Sequence, residues 1–69
     1  MEDVPPLPDD LAQALDETGA RGGWEAYPAE VQRDALAWIE AGNTTAKRSK
    51  RIDDVARSAG KGQVPAALQ

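Results

Sequence analysis

The chain reads as an all-α protein, a small bundle of three to four short helices. Three observations predict this. Leu7, Leu11 and Leu15 recur at every fourth residue, the spacing of one helical stripe. Prolines and glycines punctuate the chain as helix openers and stops, with Pro8 and Pro28 at starts and Gly19 and Gly42 at ends. Two aromatic segments, Trp24-Glu25-Ala26-Tyr27-Pro28 and Trp38-Ile39-Glu40, precede a basic run from Lys47 to Ile52, as in a helical domain with one positive face. At 69 residues there is room for one domain, and a chain of this size buries only about 60% of its unfolded surface.

Met1 to Pro6 reads as a flexible acidic lead, because Val4-Pro5-Pro6 cannot pair its backbone in a helix. The first helix opens at Pro8, where Asp9 and Asp10 complement the positive helix end, and Gly19 closes it. From Ala20 to Tyr27 a short or irregular helical turn delivers Trp24 to the core, with Gly22 and Gly23 each weakening a helix by about 1 kcal/mol relative to alanine. Tyr27 precedes a proline and is expected to be extended.

Pro28 opens the third helix, which runs to about Ala41. There Val31, Ala35, Trp38, Ile39 and Gly42 fall within about 100° of one another at 3.6 residues per turn. This is the expected central core helix. Leu36 lies off that stripe, either as an exposed apolar contact or packed on the first helix. Gly42-Asn43 ends the helix, and Thr44 or Thr45 caps the next by accepting a backbone N–H. The last helix runs to Ala59 or Gly60 with Ile52, Val55, Ala56 and Ala59 as its apolar stripe, and Asp53 and Arg57 form an i,i+4 ion pair on its flank. Residues 7–60 are thus the helical domain, and residues 61–69 are expected to be a flexible tail.

The expected core is Leu11, Leu15, Trp24, Val31, Ala35, Trp38, Ile39, Ile52 and Val55. On this reading Trp38→Ala costs about 3–5 kcal/mol and unfolds the domain.

There is no Cys and no His, which removes disulfides, Cys/His zinc sites, thiol nucleophiles and histidine acid–base chemistry. Adjacent carboxylates occur at Asp9-Asp10, Asp16-Glu17 and Asp53-Asp54. Neighbours on a helix point about 100° apart, so none forms a ready acid–base pair. Gly22-Gly23 and Gly60-Lys61-Gly62 lack the spacing and context of a phosphate loop. No enzyme activity, cofactor or metal is expected. No apolar run approaches the roughly 20 residues that span a bilayer, and no signal-peptide pattern is present, so the expected compartment is the cytoplasm.

Charge is uneven. Residues 1–30 hold eight acids against Arg21, a net of −7, whereas the remainder carries a net of +3. The two halves either dock and neutralise each other or leave a basic patch open to an anionic partner. At 100° per residue Lys47, Lys50, Arg57 and Lys61 share the side of the last helix opposite Ile52, and Arg51 sits at the border. Arg48 falls on the apolar side, where its stem lies along the core and its head meets an acid or a tryptophan face. Lys47, Lys50, Arg51 and Arg57 are the candidate partner contacts. An unknown protein is the expected partner, and nucleic acid bound by the basic last helix is the alternative.

These residues carry a family resemblance. Trp24-Glu25-Ala26-Tyr27-Pro28, the interval to Trp38-Ile39-Glu40, and the following Arg48, Arg51-Ile52 and Val55 resemble the C-terminal domain of the YdeI/OmpD-associated, bacteriocin-protection family, over about Leu7 to Gly62. Gly42-Asn43 stands where that family usually has Ala-Lys, and Ala46-Lys47 where it usually has Glu-Thr, while Arg48, Arg51 and Ile52 match. The resemblance implies a small all-helical bacterial domain, often appended to another but here expected to stand alone. It implies an association with envelope stress or bacteriocin tolerance and no established reaction. The expected role is a non-catalytic protein-interaction or adaptor module.

Overall fold

The computed structural model describes residues 7–69, so the acidic lead expected at 1–6 lies outside the described residues. Four helices follow in order: α1 (Asp9–Thr18), α2 (Arg21–Ala26), α3 (Ala29–Glu40) and α4 (Thr45–Gly60), then a 3₁₀ turn at Ala66–Leu68. The fold is all-α, as the periodicity predicts. α4 is the organising element and packs against α1, α2 and α3.

The local rules act where they were expected. Gly19 sits in the left-handed region at φ 67°. Its N–H bonds the Asp16 carbonyl while that of Ala20 reaches Leu15, the paired bonds of a Schellman cap. Tyr27 is extended at φ −68° and ψ 140°. Thr44 caps α4, its Oγ1 accepting the Lys47 backbone N–H at 3.1 Å.

Leu11 and Leu15 from α1, Trp24 from α2, Ala35 and Ile39 from α3, and Ile52, Val55, Ala56 and Ala59 from α4 make the core, joined by Ala20 and Tyr27. Trp24 and Tyr27 meet edge to face with ring centroids 5.9 Å apart. Leu36 packs partly buried against this cluster, and so do Val31 and Trp38, which the stripe had assigned to the interior.

The α3 stripe is rotated from its expected centre because a glutamine takes a core position. Gln32 is 5% exposed, and its Nε2 donates at 2.9 Å to the Trp24 carbonyl at the end of α2, which also accepts the Tyr27 backbone N–H. Turning Gln32 inward turns Trp38, about 120° away around the helix, toward the rim.

Residues 61–69, expected as a tail, fold back on the bundle. Gly62 at φ 70° lets its own N–H bond Ala59 and that of Gln63 bond Ser58, so α4 ends in the same cap as α1. The chain then reverses. Tyr27 Oη donates to the Gln63 carbonyl, Pro65 is fully buried, and Val64 and Leu68 pack on the core.

Candidate functional site

The four candidate cations lie on α4, and the structure gives them different surroundings. Arg51 is half-buried and turned toward α3. Its guanidinium lies over the Trp38 ring, 5.2 Å from the centroid, and its Nη1 donates to the Trp38 carbonyl at 2.7 Å. The reason is local. At the end of α3 the Ala41 N–H bonds Ala37 and the Gly42 N–H bonds Ile39, which passes over the carbonyl of Trp38. Arg51 fills that acceptor and places positive charge at the negative end of the helix.

Arg57 pairs with Asp53 at 2.7 Å on the exposed flank, as its i,i+4 spacing predicts. Lys47 and Lys50 are exposed, with no side-chain ion pair among the described residues. Arg48, kept apart from the candidates, meets an acid: its Nε reaches Asp10 Oδ2 at 2.8 Å and its Nη2 reaches Oδ1 at 3.2 Å. The Arg48 hydrogen bonds hold the Asp10 carboxyl below the usual carboxylate range and raise Arg48 in turn, with Glu40 adding to the effect. This bidentate pair ties the acidic α1 to the basic α4.

Trp38 is the centre of the surface these cations form. Two shallow depressions meet at its ring. One is lined by Trp38, Lys47, Lys50, Arg51 and Asp54. The other is lined by Trp38, Asp54, Arg57 and Lys61, together with Gln63 and the turn at Pro65–Ala67. Cations therefore flank the indole on both sides along α4, with Asp54 between them. The helical wheel groups Lys47, Lys50, Arg57 and Lys61, with Asp54 interrupting their positive field from the same helix, but misses Trp38. The available signal was the position of Trp38 at the edge of its stripe, two residues before the end of α3.

Chemically this arrangement can seat an apolar group on the indole and carboxylates on either side. Among the described residues no group of three or more carboxylates is placed to hold a metal ion, and no helix is long and apolar enough to cross a membrane.

No curated protein and no solved structure matches the chain. The family model described as bacteriocin-protection, YdeI or OmpD-associated matches residues 4–62, a stretch that takes in all four helices and the Arg51–Trp38 contact. The chain belongs to that family.

Proposed function

We propose that this domain is a non-catalytic protein-interaction module that receives its partner on the α4 face around Trp38. One observation carries the reading: a tryptophan ring held half-open by an arginine and bordered by exposed cations. Trp and Arg are the residue types that dominate binding energy at protein interfaces, and a ring already fixed in place loses little freedom on docking. Three of the carboxylates, by contrast, are already engaged. Asp10, Asp16 and Asp53 each pair with an arginine, which argues against their use as acids or bases. The family's description makes bacteriocin protection the setting in which to look for the partner.

Site-specific photocrosslinking in cells tests this. A crosslinking residue at position 50 is expected to give discrete protein adducts that the same residue at Glu25, exposed on α2, does not. Equal adducts from both positions, or adducts destroyed by nuclease, would overturn the proposal.

A further inference from the structure

We infer that the partner presents an extended acidic segment whose carboxylates stand in two groups on either side of one apolar residue, lying lengthwise along α4 with that residue on Trp38. This rests on the protein-contact reading above and names the chemistry of its partner.

The order of charge along the face carries the inference. Lys47 and Lys50 border the depression on one side of the indole, and Arg57 and Lys61 border the depression on the other. Trp38 and Asp54 belong to both. The face is therefore positive at its ends, with an apolar ring and a negative charge in the middle. At 1.5 Å of rise per residue Lys50 and Arg57 are separated by about 10 Å along the axis, and Lys47 and Lys61 by about 21 Å. An extended chain advances about 3.3 Å per residue. Acids roughly three to six positions apart, with an apolar residue between them, match both spans.

Asp54 decides between partners. A nucleic-acid strand carries charge at about every 3.4 Å of its axis and would lay phosphates over Asp54. A peptide with an uncharged centre avoids that repulsion. The cations are also ready to engage. Lys47 and Lys50 have no ion pair among the described residues, and Arg57 is held by an exposed pair of the kind that contributes little. Arg51 already braces the indole, so the ring meets its ligand without rearrangement.

The test titrates the labelled full chain with three probes at low and physiological salt, read by amide and indole NMR signals. The probes are a short peptide with a central leucine between glutamates, its glutamine-for-glutamate counterpart, and a mixed-sequence DNA duplex. The acidic peptide is expected to move residues 47–61 and the Trp38 indole N–H while leaving the buried Trp24 indole unmoved. Lys50→Glu and Lys61→Glu, both exposed and with spectra as dispersed as the parent, should each weaken the acidic peptide by about tenfold, the scale of one charge-assisted contact. Unchanged affinity in those variants overturns the inference. Equal binding of the glutamine peptide at Trp38 overturns the charge assignment but leaves the protein-contact reading standing. Preference for the duplex overturns both, and a Trp38 signal moved by none of the three overturns the acidic partner while the crosslinking result decides the face.

Discussion

Gly23 of α2 lies against the backbone of Ala59 in α4: a β-carbon built on Gly23 would stand 1.9 Å from the Ala59 carbonyl oxygen and 2.6 Å from its carbonyl carbon. No side chain fits there, so α2 and α4 approach backbone to backbone only because position 23 has none. Gly22, its neighbour, has nothing within 4 Å of its own β-position. Two adjacent glycines with the same helix propensity thus have opposite structural standing.

Alanine at the two positions should act with opposite sign. Gly23→Ala forces α2 off α4 and is expected to cost about 1–3 kcal/mol or more, as overpacking does. That is a large share of the roughly 3–10 kcal/mol that stabilises a domain of this size. Gly22→Ala meets open space and should add up to about 1 kcal/mol through helix propensity. Urea denaturation followed by circular dichroism checks both. A Gly23→Ala protein as stable as the parent would show that the helices do not sit this close.

The Arg48–Asp10 pair makes a prediction about acid. Asp10 has a carboxyl held below its unfolded value, chiefly by the Arg48 hydrogen bonds. Its contribution to stability is therefore complete above the usual carboxylate range near pH 4, and is lost as pH falls through the depressed folded value. Asp10→Asn should melt at a lower temperature than the parent at pH 7, and the gap should close progressively below about pH 4. A gap that stays constant down to strong acid would mean the pair does not form. Asp10 is about half exposed as a side chain, 49%, so the difference should be modest and should shrink in high salt.

Tyr27 reports on the folded-back end. It is the single tyrosine of the chain, and burial raises its phenol above the ordinary value. Absorbance titration of the intact protein should show a midpoint above about 10. Removing residues 63–69 takes away the Gln63 acceptor and the cover given by Pro65, so the midpoint should move down toward the free-tyrosine value. An unchanged midpoint would return this segment to the tail that the glycine-rich sequence suggests.

How far the chain can be read without its structure depends on how far each rule reaches along it. Leu11, Leu15, Ile52, Val55, Ala56 and Ala59 are found by periodicity because one helix's own spacing decides which face is apolar. Gly19, Thr44 and the Asp53–Arg57 pair are found because caps and i,i+4 contacts span only a few residues. Gln32 is missed because its inward turn depends on a carbonyl of α2, and the burial of a glutamine runs against composition. Gly62 is missed as a cap because the residues that reward the reversal, Tyr27 and the core beneath Pro65, lie on other elements. The site divides in the same way. Lys47, Lys50 and Arg57 share one helix and are grouped by its geometry. Asp54 lies on that same helix, one turn from Lys50 and one from Arg57, and its place between the cationic ends follows from the same geometry. The stacking of Arg51 on Trp38 depends on how α3 is rotated against α4, which no local pattern encodes.

The two tryptophans should therefore behave differently, contrary to the expectation that both are core anchors. Trp24 is 4% exposed and touches Tyr27 edge to face. Truncating it to alanine should cost about 3–5 kcal/mol and unfold much of the population. Trp38 is only partly buried, and one of its faces is covered by Arg51. Trp38→Ala should cost about 1–2 kcal/mol, less than a core truncation because less apolar area returns to water, and the variant should stay folded. Single-tryptophan proteins separate the two by fluorescence. With Trp24 replaced by Phe, the remaining Trp38 emission should be quenched readily by acrylamide. With Trp38 replaced by Phe, the Trp24 emission should resist quenching until the protein unfolds. Equal shielding of the two indoles would put Trp38 back in the interior and remove the surface on which the partner is proposed to dock.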